Sequence, residues 1–369
     1  MAKIGVVTFA HTTDNYGQVL QFLATKCFLE NAGHTANLIL LQDCLYKRVC
    51  NRLKRTFFKN EDSPQNLSEE DIAKEKIFKQ WAAVSVRNEN EHPRMFDQFR
   101  QKYFDIDKGT RRRILSHGYN AFCVGSDQTW SNASDLFLLK WVPSNYLKFS
   151  LAPSVGHKVF GDEEIEAYKK ALNEFSYITV REDNGLELCQ KANHPEVEKI
   201  LDPTFLVDSA AYNKYADTVE KKKTTIFIYM LGGEISYSIR EMIKYYEEKG
   251  YVIKYVESQG RDEQIGSLHA TVGEWLGLMS SADYVITNSF HGMAFSIIYR
   301  KPFMVFPLCG IMKGMNGRIQ NLCDSMKFND RIFTGSLDTL FNPIDWTIAE
   351  SCIQNNRNKV LDKINYLFA

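Results

Sequence analysis

The sequence of 369 residues has no surplus of charge, because 45 lysines and arginines balance 45 aspartates and glutamates. Nucleic-acid-binding proteins usually carry a basic surplus, so this balance argues against a nucleic-acid partner. No apolar run approaches the roughly 18 residues that a membrane-spanning helix needs. The chain opens directly on an apolar strand pattern, KIGVVTF, instead of a signal peptide. These absences lead us to expect a cytoplasmic protein.

The eight cysteines are not spaced in the C-x-x-C pairs that are typical of zinc sites, and most lie in apolar runs. We therefore predict free, mainly buried thiols in a reducing compartment, with neither a disulfide framework nor a metal site. The loop after the first strand also lacks G-x-G-x-x-G, so the fingerprint of dinucleotide-binding folds is missing.

What the chain does have is a repeated alternation of short apolar strands with helical patterns, which is typical of doubly wound α/β folds. Its length favours two domains. The pattern resembles the GT-B architecture, in which two Rossmann-like domains with parallel sheets face each other across a cleft. We predict an N-terminal domain over 1–207 with a helical, partly mobile insertion over 43–105, a C-terminal domain over 208–345, and a terminal helix over 346–369 that crosses back.

Within the insertion, the segment 45–59 (LYKRVCNRLKRTFFK) combines six basic residues with apolar residues at helical spacing. A basic amphipathic helix of this kind can lie on an anionic membrane surface. The alternative is an ordinary solvated helix that packs on the body of the protein.

The stretch 282–306 (ADYVITNSFHGMAFSIIYRKPFMVF) predicts a buried strand, a polar turn, a helix of about ten residues and a second strand. His291 falls in the first turn of that helix, beside Ser289, Phe290 and Gly292. The free N–H groups and the dipole of a helix start favour an anion, and ligands of parallel sheets bind at this edge. The alternative is a structural histidine.

Polar residues follow the strands of the N-terminal half as well. Asp14, Asn15 and Tyr16 come after the first strand, where they predict either a binding loop or a helix cap. The turn GSDQTW follows another buried strand and offers the same two alternatives. Its candidate site residues are Ser126, Asp127, Gln128 and Trp130.

Arg181 ends a third buried strand and is a candidate for binding an anion. The alternative is an ion pair with Glu182 or Asp183. Beyond the last strand, a glycine-rich loop carries two more cations, Lys313 and Arg318.

Together these loops resemble the polysaccharide pyruvyl transferase family. The matching pieces occur in the expected order across about 300 residues, whereas 42–105 shares little of the resemblance. The pieces are TTDNYGQVLQ (12–21), VGSDQTW (124–130), TVRE (179–182), LDPTFLV (201–207), ADYVITNSFHGMAFSIIYRKPF (282–303) and NGRIQNL (316–322).

The resemblance implies transfer of pyruvate from phosphoenolpyruvate to a sugar as a cyclic ketal, without a metal or nucleotide cofactor. It implies that His291 is the acid/base group and that Arg181 holds phosphoenolpyruvate. Many members carry an arginine where this chain has Ser289, so we expect Arg318 or Lys313 to substitute for it. Asp127, Asp14 and the phosphate itself are the candidate bases. We expect the N-terminal domain to bind the acceptor and the C-terminal domain to bind the donor. The predicted acceptor-binding residues are Asp14, Asn15, Tyr16, Ser126, Gln128 and Trp130, and the predicted donor-binding residues are Arg181, Ser289, Phe290, Gly292, Lys313 and Arg318.

In this family the acceptor is usually a sugar of a growing capsule or exopolysaccharide, or of its lipid-linked precursor. We expect a hexose such as galactose, and a lipid-linked acceptor would give the segment 45–59 a role at the inner face of the membrane. Two alternatives share the fold. They are a nucleotide-sugar glycosyltransferase and a non-catalytic sugar-binding protein.

Overall fold

The computed structural model describes residues 1–9, 11–42, 69–156, 160–220, 223–261, 263 and 265–369. The basic segment 45–59, predicted as an amphipathic helix, lies outside the described residues. Every helix among the described residues is too short or too polar to span a lipid bilayer.

The N-terminal domain is built on a parallel sheet of five strands in the order β3-β2-β1-β4-β5. A bridge between Phe149 and Tyr177 links it to a pair of short parallel strands, β6 and β7. The central strands β1 and β4 are largely buried and apolar, as expected for a parallel sheet covered on both faces. The strands of this domain are β1 (Lys3–Val7), β2 (Thr35–Leu41), β3 (Ile106–Gly109), β4 (Ala121–Val124), β5 (Leu147–Ser150), β6 (Thr179–Val180) and β7 (Glu198–Lys199).

The C-terminal domain has a four-stranded parallel sheet in the order β11-β10-β8-β9. The predicted strand–helix–strand unit is present, with β10 and β11 paired in parallel. Both sheets together give the α/β fold with two parallel-sheet domains that the sequence predicts. The strands are β8 (Thr225–Leu231), β9 (Val252–Ser258), β10 (Tyr284–Thr287) and β11 (Phe303–Val305).

Helices connect the strands and cover both sheets. The helix of the insertion, α2, is the longest that the structure describes. The α-helices are α1 (Tyr16–Asn31), α2 (Glu69–Glu91), α3 (Phe96–Tyr103), α4 (Arg111–Leu115), α5 (Asp162–Leu172), α6 (Asp183–Lys191), α7 (Ser209–Asn213), α8 (Ile239–Glu248), α9 (Val272–Ser281), α10 (Phe290–Ile298), α11 (Gly317–Met326) and α12 (Thr347–Leu367).

The terminal helix α12 returns to the N-terminal domain. Arg357 donates from Nε to the carbonyl oxygen of Phe205 at 2.6 Å, and Asn356 accepts from the amide of Leu201 at 2.9 Å. Phe368, just beyond the helix, packs against His34 at the edge of β2. This helix therefore ties the end of the chain to the first domain.

The two domains also share one apolar core. Tyr16 at the start of α1 stacks on Trp275 of α9, with ring centroids 5.4 Å apart. Its hydroxyl donates to the carbonyl of Ala270 at 2.5 Å. Because large apolar interfaces resist relative domain motion, this contact holds the loops at the carboxyl ends of the two sheets in register across the cleft.

Candidate functional site

A cavity of about 510 Å³ lies between the carboxyl ends of the two sheets. Loops from β1, β4 and β10 open onto it, in agreement with the general position of ligand sites in parallel sheets. One wall comes from the insertion helix α2. The cavity brings together eight of the residues that the sequence singles out, namely Asp14, Asn15, Asp127, Gln128, Ser289, Phe290, His291 and Arg318.

His291 is held at the start of α10 with its ring almost completely buried. Ser289 caps this helix, accepting a hydrogen bond from the amide of Gly292 at 3.3 Å. The ring packs on Gly17 of α1, where an added Cβ would lie 2.0 Å from Nδ1. Its Nε2 atom lies 3.6 Å from a carboxylate oxygen of Asp202 and makes no hydrogen bond within the described structure. The imidazole is therefore fixed in place, with Nε2 buried and facing the carboxylate of Asp202.

Asp202 is the centre of a buried polar network, and the sequence did not single it out. Its side chain is fully buried. It accepts hydrogen bonds from Arg181 at 2.7 Å, from Ser126 at 3.0 Å, and from the amide of Thr204 at 3.0 Å. Burial alone would raise the pKa of Asp202, but His291, Arg181 and the Thr204 amide outweigh it and hold this pKa well below its usual range. Asp202 is therefore a carboxylate at neutral pH.

Arg181 pairs with two carboxylates in the same network. Besides Asp202 it contacts Glu182, with 2.9 Å between Nε and Oε1. Of the two partners considered from the sequence, Glu182 is correct and Asp183 is wrong, because Asp183 pairs with Lys199. Burial would lower the pKa of Arg181, but the two carboxylates raise it. Its charge is thus compensated within the protein, although Nη2 is buried without a hydrogen-bond partner.

Arg318, in the first turn of α11, is a cation on the cavity wall without an ion-pair partner at salt-bridge distance among the described residues. Burial and the neighbouring Arg181 lower the pKa of this guanidinium. Arginine stays protonated at neutral pH even so. Arg318 can therefore offer its positive charge to an anionic ligand.

Asp127 lies on the same cavity in a strained backbone conformation. Its φ is 64° and its ψ is −170°, a region that is almost restricted to glycine and costs about 1–3 kcal/mol. The amides of Thr129 and Ser154 hold it there by donating to its carbonyl, each at 2.8 Å. Strain of this kind is common at functional sites and points to a constrained role for the carboxylate.

Two predicted acceptor-binding residues are turned away from the cavity. Trp130 is fully buried, its indole N–H donates to the carbonyl of Phe137 at 3.2 Å, and its ring packs on Tyr168. Tyr16 is equally buried and belongs to the contact between the domains. Their apolar bulk fills the core beneath the loops, so a role in contacting the acceptor is corrected to a role in supporting the loops.

Three further predicted residues are placed differently from a direct ligand contact. Ser126 is buried and donates to Asp202. The amide of Gly292 is already used by the cap of α10, and the missing side chain of this glycine leaves room for Thr287. Lys313 is exposed and lies outside the described residues that line the cavity. Of the two cations proposed as substitutes, only Arg318 is on the cavity.

Asn15 combines both of the functions considered from the sequence, whereas Asp14 lines the cavity without capping α1. Asn15 caps α1 by accepting from the amide of Gln18, and it also lines the cavity. The carboxylate of Asp14 accepts from the hydroxyl of Ser85 at 2.5 Å and from the amide of Gln259 at 3.2 Å. Asp14 therefore joins the first domain to α2 and to the second domain.

Comparison with solved structures places the fold among GT-B proteins. A protein from Listeria monocytogenes described as a UDP-N-acetylglucosamine 2-epimerase matches with a TM-score of 0.51 at 10% identity, over 100% of this chain and 96% of that one. The Arabidopsis thaliana protein UGT89C1, in complex with UDP-L-rhamnose, matches with a TM-score of 0.47 at 10% identity, over 99% and 98%. At such low identity the first likeness establishes the fold alone.

Comparison of the sequence with protein families identifies the family as well. A search of curated proteins found no significant match. The family model for polysaccharide pyruvyl transferase matches residues 15–309, a span that includes the loops around the cavity from Asn15 to His291. Because the match covers most of the chain, the protein belongs to the polysaccharide pyruvyl transferase family.

Proposed function

We propose that the protein transfers pyruvate from phosphoenolpyruvate to two hydroxyls of a sugar, forming a cyclic ketal and releasing phosphate. The observation that carries the proposal is the meeting of His291 and Arg318 on one cavity, with Asp202 behind the imidazole. A proton donor beside a cation is the arrangement that an anionic enol ester requires. The family to which the chain belongs supports the same reaction class.

The donor has a phosphate and a carboxylate, which together carry about three negative charges near neutral pH. In a chain of zero net charge, such a ligand needs a local concentration of cations. Arg318 supplies one on the cavity wall, and the start of α10 adds the positive end of a helix dipole. Arg318 thus takes the place of the arginine that many family members have at the position of Ser289.

The reaction begins with protonation of the methylene carbon of phosphoenolpyruvate, which makes C2 electrophilic. Protonated His291 is the proposed acid, and the carboxylate of Asp202 can accept a hydrogen bond from the ring and hold it in place. One sugar hydroxyl then attacks C2, phosphate leaves, and a second hydroxyl closes the ketal. Of the two hydroxyl protons released, one restores the proton that His291 gave and the other leaves with phosphate.

The candidates for the general base that accepts protons from the sugar hydroxyls are Asp127, Asp14 and the phosphate. The carboxylate of Asp14 already accepts two hydrogen bonds from protein groups. Asp127 lines the same cavity. It precedes a short turn, and its side chain makes no capping hydrogen bond to that turn. We therefore assign the base to Asp127 and hydrogen bonding of the acceptor to Asp14, Asn15 and Gln128. A lipid-linked hexose such as galactose remains our proposed acceptor.

Phosphate release from phosphoenolpyruvate tests the proposal, measured with a panel of galactosides, mannosides and N-acetylmannosaminides. We expect release that depends on one glycoside and is matched by ketal formation. Release of UDP from a UDP-sugar would support a glycosyltransferase instead. Sugar binding without turnover would support a binding protein.

Replacing Arg318 by alanine should raise the KM for phosphoenolpyruvate by about 10- to 100-fold, because a hydrogen-bonded contact between charged groups is lost. The KM for the acceptor should change little. Lys313→Ala is the matched control, since it removes a cation from the same loop but outside the cavity lining. An unchanged donor KM in Arg318→Ala would overturn the assignment of this residue.

A further inference from the structure

We propose that the insertion helix α2 recognises the acceptor sugar, with Phe78 and Trp81 forming an aromatic wall for the apolar face of a pyranose ring. The inference rests on the proposed pyruvyl transfer and specifies the substrate that the cavity would take. It concerns α2, which lies in the region 42–105 that carries little of the resemblance to the family motifs.

The aromatic wall lies on the same cavity as His291. Phe78 and Trp81 are three positions apart on α2, which puts both rings on one face of the helix. Their centroids are 5.4 Å apart with the planes at 87°. The surrounding helix is rich in charged residues, and yet Phe78 remains 48% exposed. An exposed apolar ring on the wall of a cavity that also has polar lining residues indicates a contact surface for a ligand.

The wall is held firmly in position. Trp81 sits against two glycines of the C-terminal domain, Gly232 and Gly260. An added Cβ at Gly232 would lie 2.8 Å from the indole, and one at Gly260 would lie 2.2 Å from the backbone of Trp81. Ser85, one turn further along α2, donates to Asp14 of the N-terminal domain. Because both domains anchor the helix, the rings are preorganised for binding.

The aromatic and polar residues of the cavity lining together match the chemistry of a sugar ring. A pyranose has hydroxyls around its rim and C–H groups on its faces. Aromatic rings pack favourably against such an apolar face. Asp14, Asn15 and Gln128 line the cavity together with the aromatic wall and can hydrogen-bond the rim. The geometry points to a hexopyranoside with one face free of axial hydroxyls, with the reacting hydroxyl pair directed toward His291.

Phe78→Ala tests the inference, because this ring is half-exposed and its removal leaves the packing of Trp81 on the two glycines in place. We expect the KM for the accepted glycoside to rise about five- to tenfold, as for the loss of one aromatic contact. The KM for phosphoenolpyruvate should not change. Phe78→Tyr should keep the wild-type acceptor KM, since it retains the ring. Ile72→Ala, on an exposed part of the same helix outside the cavity lining, is the matched control.

A binding measurement separates failure of this inference from failure of the proposed function. Saturation-transfer NMR with methyl glycosides reports binding without turnover. If the wild type binds a glycoside and Phe78→Ala weakens that binding, the wall is supported even where no phosphate is released. Equal glycoside binding and equal acceptor KM in the wild type and Phe78→Ala would overturn the inference and leave pyruvyl transfer intact. A wild type that binds none of the glycosides overturns it as well.

Discussion

His291→Ala should lose about 10²- to 10⁴-fold in kcat with a nearly unchanged KM for phosphoenolpyruvate. The physical reason is that the imidazole is proposed to act on the reacting carbon, whereas Arg318 and the helix start bind the charged groups of the donor. A loss confined to the transition state lowers kcat and kcat/KM equally. Steady-state kinetics of phosphate release, with direct titration of phosphoenolpyruvate, measures both quantities.

His117→Ala is the matched control for this variant. His117 also contacts an aspartate, with 2.7 Å between Nδ1 and Oδ2 of Asp107, but it lies outside the described residues that line the cavity. We expect this control to keep wild-type turnover. Near-normal turnover in His291→Ala would remove the imidazole from the chemistry, and an equal loss in both variants would indicate an indirect effect on folding.

Asp202→Asn should reduce both stability and turnover. Removing one partner of a buried ion pair costs about 3–5 kcal/mol of unfolding free energy, and the fully buried Asp202 faces both Arg181 and His291. We expect a cost near the lower end, because Glu182 still pairs with Arg181. Loss of the group that positions the imidazole should lower kcat by about 100-fold. Urea unfolding and phosphate release measure the two effects.

The pH dependence of the free energy of unfolding provides a second test of the role of Asp202. Because the pKa of Asp202 is lowered in the folded state, its contribution to stability is present above the unfolded value of about 4 and is lost as the pH falls below it. The free energy of unfolding of Asp202→Asn should therefore fall less steeply than that of the wild type as the pH is lowered below about 4. Asp183→Asn removes an exposed pair with Lys199 and should cost at most about 1 kcal/mol. If the free energy of unfolding falls equally steeply in acid for the wild type and for Asp202→Asn, the stabilisation of the Asp202 carboxylate by its network is contradicted.

The architecture was predictable because parallel sheets leave a strong pattern. Continuous apolar strands alternate with helices, and polar turns follow the strands. The carboxyl ends of parallel strands share one edge, so the loops around Asp14, Asp127 and His291 meet as expected. The start of α10 at Phe290 also agrees with the sequence, since the cap residue Ser289 and the apolar run after it are local signals.

The direction of individual side chains in those loops was less predictable. A polar turn after a strand gives no sign of which residue points inward. Trp130 lies beneath its loop because a large apolar ring gains more from core burial than from the cavity. Tyr16 was misassigned for the same reason. In each case tertiary packing decided between two roles that the local sequence allowed equally.

Asp202 and the aromatic wall were missed because their partners are distant in the chain. Asp202 precedes Pro203 and looks locally like a turn residue, and its side chain does cap the short turn that follows. Only the fold brings Arg181 and His291 to it. An acidic residue within the family motif LDPTFLV was the one available signal. Phe78 and Trp81 lie in a segment of little family resemblance, where their spacing indicates a shared face of the helix but not what that face contacts.

Product analysis in heavy water tests whether His291 protonates phosphoenolpyruvate during ketal formation. The protein is incubated with phosphoenolpyruvate and an accepted glycoside in D₂O, and the product is examined by NMR. We predict a glycoside that carries a cyclic pyruvate ketal whose methyl group contains one deuterium from solvent, with one phosphate released per ketal. We also predict that His291→Ala loses this product. Release of phosphate without a ketal, or a ketal formed at the wild-type rate by His291→Ala, would contradict these predictions.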